Sequence, residues 1–213
     1  MLKFYYNPIS VNARRVWVAL LEKQIPFELI LVNLDGDQFH DSFTAINPLQ
    51  RIPVVVDNGL RIVESLAILD YLEAKHPTPS LIPRNPEAIA LVRMIETITV
   101  VDLQPLTIYL SRQLVGLDIN PQKLEAAQQR VTIILQFFEK LLGEKTYVIG
   151  EEFTLADIVA GTLLPSLPLE NYPHLSAWAE RLKQRESWQK TEASPATIQA
   201  AVPYIREILE RRS

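Results

Sequence analysis

The chain has 213 residues, 48% hydrophobic and 22% charged, with 21 basic against 25 acidic side chains and a formal net charge of −4. That is the composition of a folded globular protein, one large domain or two small ones, long enough to bury roughly 70% of its unfolded surface. Neither sign of charge is blocked together, which argues against nucleic-acid and anionic-membrane partners, and the absence of cysteine excludes disulfides, thiolate nucleophiles and sulfur-ligated metals.

Residues 2–6 read as a strand, stopped by Asn7-Pro8. This mixed polar and aromatic start is unlike a signal peptide, and a reducing cytoplasm is the expected compartment. Over 12–23, Ala13, Val16, Trp17, Leu20 and Leu21 recur at helical spacing before Pro26. Residues 27–32 read as a buried strand, so a strand, a helix and a strand follow each other as in a parallel crossover. Residues 33–46 are polar, with a short helix expected near 41–45. A proline then precedes the apolar run Val54-Val55-Val56, Asp57-Asn58-Gly59 marks a hairpin turn into residues 60–63, and a helix is expected over 65–75. Pro77, Pro79, Pro83 and Pro86 fall within ten residues, a stretch that reads as a linker.

Beyond it every periodic segment is helical: 87–115, with Pro105 expected to kink or split it, then 122–142 with Gly143 as C-cap, a helix opened by Thr154-Leu155-Ala156-Asp157, one over 175–185 around Trp178, and a last over 196–211. Thr154 and Asp157 form a capping box, to which a folding role and no catalytic one is assigned. The most apolar stretch, 158–169, is broken by Pro165 and Pro168, which argues against a membrane span. Three scattered histidines, His40, His76 and His174, argue against a structural metal. The expected organisation is an α/β domain over 1–76, a proline-rich linker over 77–86 and an all-helical domain over 87–213.

The segment Asn47-Pro48-Leu49-Gln50-Arg51-Ile52-Pro53, followed by the hairpin and by Glu64-Ser65 at a helix start, resembles the glutathione-binding half of the cytosolic glutathione transferases. The resemblance implies a thioredoxin-like N-terminal domain, a cis Ile52–Pro53 bond, and an Ile52 main chain that pairs with the peptide part of glutathione. Residues 2–14 align without a gap on the serine-type members, such as the theta class, with Ser10 at their catalytic hydroxyl; the cyanobacterial chi class is another serine-type group this chain resembles.

From its residues alone Ser10 reads as an N-cap for the first helix, which is compatible with donating a hydrogen bond to a thiolate at the same helix terminus. Tyr5 is the rival, because tyrosine-type classes place a phenol near the end of the first strand, and Tyr6 is a weaker one. The resemblance further implies that Glu64 pairs with the glutathione amino group and that Ser65 and the adjoining helix terminus hold the γ-glutamyl carboxylate. Arg51, Gln38 and His40 are the candidates for the glycyl carboxylate. Many relatives have glycine where this chain has Gln50, so the loop is expected to differ there. Ile9, Val11, Tyr109 and Arg112, with Asp102 beside them, are implied to line the electrophile pocket, although each is equally explained as core or surface. The implied protein is a homodimeric enzyme of detoxification without metal or tightly held cofactor, using glutathione as co-substrate. The competing reading is a binding protein that kept the fold and lost the chemistry.

Overall fold

The computed structural model describes residues 1–210; Arg211, the expected end of the last helix, lies outside the described residues. By internal contacts the chain forms two compact units, one of Met1–Leu81 with Arg185–Ile198, the other of Ile82–Gln184 with the segment from Gln199.

The first unit is built on a four-stranded sheet in the order β2-β1-β3-β4. Strand β1 (Leu2–Tyr6) leads to helix α1 (Val11–Glu22) and then to β2 (Phe27–Leu31), which pairs parallel to β1. The short α2 (Asp41–Thr44) follows a 3-10 turn at Asp37–Phe39. Strands β3 (Val54–Asp57) and β4 (Leu60–Val63) form an antiparallel hairpin, and α3 (Ser65–Lys75) follows directly. At the hairpin tip Asn58 and Gly59 have φ of 49° and 85°, the left-handed pair that a two-residue turn requires.

Side-chain alternation along β1 divides the core in two. Leu2 and Phe4 pack with Ala13, Val16 and Leu20 of α1 and with Ile68 and Leu72 of α3, while Tyr6 joins the same face. Tyr5 points the other way, against Phe43, Val32 and Val54. Strand β2, expected to be buried, is instead half open, with Leu29 and Leu31 exposed, because it is an edge strand. The proline segment is tied to this unit at its start: the Lys23 Nζ donates to the Pro79 carbonyl and to Glu73, each at 2.7 Å, and Glu73 accepts from Ser80 and the Leu81 amide. Thr78–Pro79 is a cis bond that the sequence did not signal.

The second unit is helical. Helix α4 (Pro86–Thr97) passes through a π-helical segment (Ile98–Leu103) into α5 (Gln104–Leu114). The Gln104 amide reaches back five residues to the Thr99 carbonyl, a widened turn just before the expected break at Pro105. Helices α6 (Pro121–Leu142), α7 (Leu155–Gly161) and α8 (Pro173–Lys183) follow. The capping box of α7 forms as expected. Asp157 is fully buried and accepts from the Thr154 amide (3.0 Å) and hydroxyl (3.2 Å), the Val148 amide (2.9 Å) and the Trp178 indole (3.0 Å). Burial pushes its pKa up, and those donors oppose the shift. A short helix that the sequence reading missed, α9 (Glu186–Thr191), precedes α10 (Pro195–Glu210).

Candidate active site

The loop from β1 to α1 is braced by Asn7. Its amide nitrogen donates to the Val32 carbonyl at 2.9 Å, its side-chain oxygen accepts from the Ile9 amide at 3.1 Å, and its carbonyl accepts from the Ser10 amide at 3.0 Å. Ser10 is thereby delivered to the N-cap of α1 in an extended conformation, where its Oγ accepts from the Ala13 amide at 3.2 Å. That bond uses a lone pair of the hydroxyl and leaves its proton free to be donated. The first turn of α1 carries no acidic residue to compete for an anion at this terminus. Ile9 and Val11 flank Ser10 and are half-buried.

The rival phenols lie elsewhere. Tyr5 packs against Phe43 with ring centroids 6.1 Å apart, on the sheet face away from α1. There it lines a cavity of about 340 Å³ with Asp37, His40 and Phe43. Tyr6 stacks on Phe4, meets Trp17 edge-to-face and packs half-buried against the core.

The proline loop is held by Asn47, which is 1% exposed. Its side chain donates to the Arg51 carbonyl at 2.7 Å and accepts from the Leu49 amide at 3.0 Å, and its carbonyl accepts from the Gln50 amide at 2.9 Å. The Ile52–Pro53 bond is cis, as the resemblance implies. Ladder pairing begins at Val54, so the Ile52 main chain lies outside the sheet register. Gln50 has φ of 55°, the left-handed region that glycine enters freely, so this chain keeps at Gln50 a conformation that a glycine would favour. From the sequence Asn7 reads only as part of the stop to the first strand and Asn47 only as part of the proline-loop motif. An asparagine beside a proline in a loop is the available signal, since its amide can satisfy backbone groups that the proline cannot.

Glu64 occupies the N-cap of α3 with φ of 68° and is exposed. It makes no side-chain cap, so α3 opens with its first amides uncapped by that side chain, directly beside the buried Ser65. A strained, exposed carboxylate at an uncapped terminus offers a cation and an anion adjacent sites, the pattern an α-amino acid presents.

The three carboxylate candidates differ in access. Arg51 and His40 are exposed, His40 with its Nδ1 3.8 Å from Asp37. Gln38 is only 7% exposed; its Nε2 donates to the Leu34 carbonyl at 3.4 Å and its buried Oε1 has no hydrogen-bond partner among the described residues. In the helical unit Tyr109 is half-buried on α5, and Arg112 spends its donors on the carbonyls of Asp118 (3.3 and 3.0 Å) and Leu209 (2.6 Å). Arg112 is thus a strut between α5 and α10. Asp102 is exposed and pairs with Arg130 at 3.5 Å.

Residues 4–80 match the family model for the glutathione S-transferase N-terminal domain, and residues 103–186 that for the C-terminal domain. The chain is 33% identical over 185 residues to mouse maleylacetoacetate isomerase, covering 82% of this chain and 84% of that protein. It is 32% identical over 209 residues to glutathione S-transferase 3 of maize, covering 91% and 94%. The chain belongs to the glutathione S-transferase family. Among solved structures this transferase is similar to the apo form of human glutathione S-transferase T1-1, with a TM-score of 0.81, 26% identity and coverage of 98% and 100%. It is thus a glutathione transferase with a thioredoxin-like N-terminal half and a helical C-terminal half, of a family that uses glutathione as co-substrate. Among the described residues no group of three His, Asp or Glu is placed to hold a metal ion, and no helix is long and apolar enough to cross a membrane.

Proposed function

We propose that this transferase conjugates the glutathione thiolate to small hydrophobic electrophiles, aryl halides and isothiocyanates, in a detoxifying role. Organic peroxides form a further substrate class, reduced to the alcohol as two glutathione molecules become the disulfide. The observation that carries this reading is Ser10, an N-cap whose hydroxyl accepts from the Ala13 amide and keeps its proton for the sulfur. A free thiol titrates near 8.5, and lowering its pKa by about two units takes roughly 2.7 kcal/mol of preferential thiolate stabilisation. One hydrogen bond to a charged group together with a helix terminus supplies about that much. Ser10 then need not remove the proton: it lowers the energy of the sulfur anion, which attacks the electrophilic carbon and expels the halide or adds to the isothiocyanate.

Glutathione is held by Glu64 at its ammonium and by Ser65 with the open terminus of α3 at its γ-glutamyl carboxylate. The Ile52 main chain takes its cysteinyl backbone beside Pro53, and Arg51 and His40 take its glycyl carboxylate. Of the residues first proposed for that carboxylate, Gln38 fits least because its side chain is turned into the fold. Ile9 and Val11, which flank Ser10, line the electrophile pocket. The enzyme works in the cytoplasm as a homodimer, and sedimentation of the purified chain tests the oligomeric state.

Retention on immobilised glutathione, followed by conjugation of a chlorinated dinitrobenzene, tests the assignment. Retention without turnover of any electrophile class selects the non-catalytic binding protein, and no retention removes both readings. A second activity is favoured by the identity to maleylacetoacetate isomerase. A thiolate that adds to a conjugated double bond and leaves after rotation isomerises the substrate and returns glutathione unchanged. Consumption of a cis-alkene substrate without loss of free thiol identifies it.

A further inference from the structure

By its contacts the segment Arg185–Ile198 belongs to the N-terminal unit, where α9 lies along α1. Polar contacts clasp the two helices at both ends. At the last turn of α1, Glu22 accepts from Arg185 Nε at 2.9 Å and Nη2 at 2.7 Å, and the Ser187 hydroxyl donates to the same carboxylate. Near its first turn, Arg14 donates from Nε to Thr191 Oγ1 at 3.3 Å and from Nη2 to the Trp188 carbonyl at 3.4 Å. A carboxylate therefore meets the start of α9 and a guanidinium meets its end, the pairing that a helix dipole favours. The two helices run antiparallel.

The Arg14 end is shielded from water, with Thr191 1% and Trp188 3% exposed. Thr191 spends its proton on the Ser187 carbonyl at 2.8 Å, which turns a lone pair toward Arg14. Burial pulls the Arg14 pKa down from its ordinary value, and the nearby Glu192 charge offsets part of that. Arg14 is also the residue whose backbone amide closes the first turn of α1, donating to the Ser10 carbonyl at 2.9 Å. One residue thus fixes the Ser10 main chain and is itself fixed by α9.

We propose that Arg14 is a positioning residue for Ser10: anchored on α9, it holds the first turn of α1 so that the Ser10 hydroxyl proton is directed at the glutathione sulfur. The inference rests on the assignment of Ser10 as the thiolate-stabilising group. It makes α9, absent from the sequence reading, part of the active-site framework although it contributes no group to the ligand.

The test is the pH titration of thiolate absorbance for bound glutathione, with kcat and KM, in the parent, Ser10→Ala, Arg14→Met and the double variant. Arg14→Met is expected to titrate about half a pH unit higher than the parent, with about threefold lower turnover at neutral pH and an unchanged KM for glutathione. The double variant is expected to titrate with Ser10→Ala, because Arg14 acts only through that hydroxyl. A parent-like titration in Arg14→Met overturns the proposal, and so does a double variant shifted by the sum of the two, which would make Arg14 a direct partner of the sulfur. If Ser10→Ala itself leaves the titration in place, the Ser10 assignment fails first and the proposal with it. Should Arg14→Met not fold, Thr191→Val keeps the charge and removes its acceptor; the same upward shift is expected, and a parent-like titration again overturns the proposal.

Discussion

Ser10 and Tyr5 are two chemically reasonable candidates that the structure places in different environments. Both have a hydroxyl and both are near the end of β1, yet the alternation of the strand turns Tyr5 to Phe43 while the Asn7-braced loop carries Ser10 to a helix terminus. Ser10→Ala is expected to cost about 1.5 to 3 kcal/mol of thiolate stabilisation, roughly a tenfold to hundredfold loss of turnover at neutral pH. Glutathione binding should change little, and part of the loss should return at high pH, where the thiol ionises unaided. Tyr5→Phe keeps the ring and should leave the thiolate titration where it is; a shift there, with none in Ser10→Ala, would make this a tyrosine-type enzyme. Gln50 carries a second residue-scale test. Its left-handed backbone costs about 1 kcal/mol, and a glycine costs a similar amount in unfolded-chain entropy, so Gln50→Gly should be neutral to within about 1 kcal/mol. Gln50→Val, with a branched Cβ in the same conformation, should destabilise by about 1 to 2 kcal/mol in chemical denaturation.

At the scale of elements, boundaries were legible where the signal is local. The hairpin turn at Asn58-Gly59 and the box at Thr154–Asp157 depend on residues within a few positions of each other, and both appear as expected. Asp157 does more than the box requires, since it also satisfies the Val148 amide and the Trp178 indole from distant parts of the chain. Asp157→Ala should therefore exceed the roughly 1 kcal/mol of a lost cap and reach about 3 kcal/mol, because buried donors are left without acceptors. Equilibrium unfolding measures it, and a loss below 1 kcal/mol would show that those donors find other partners. Helix α9 was missed because six residues between Arg185 and Glu192 carry too little periodicity to register; its stability comes from Glu22 and Arg14 on another helix. The break in the long helix was anticipated at Pro105, whereas the widened π turn ahead of it is how the backbone accommodates the missing amide.

At the scale of the whole molecule, pH dependence of folding gathers what single groups contribute. Asp57, buried at the hairpin end, is held below the usual carboxylate range by the hydrogen bond from Lys75, with burial opposing it and the Tyr71 hydroxyl adding to it at 2.9 Å. The folded chain binds this proton more weakly than the unfolded one, so the contribution is complete above about pH 3.9 and is lost as pH falls through the depressed folded value. Lys75 is raised by the same hydrogen bond, and its share is complete below about pH 10.4 and lost as pH rises through the folded value. Melting curves of the parent and Asp57→Asn should accordingly differ at neutral pH and converge in acid; a constant difference down to pH 2 would contradict this. By itself the sequence determined the order of strands and helices in the two halves and the place of the proline loop, because each rests on short-range patterns of turn, cap and periodicity, and its motifs resemble those of the family to which the chain belongs. Only the tertiary structure decided which face Tyr5 takes, that β2 is an edge, that Gln38 turns inward, that Arg112 is a strut, and that residues 185–198 fold onto α1. Those outcomes depend on which distant segments compete for the same buried surface and the same hydrogen-bond donors, and that competition is settled by packing in three dimensions.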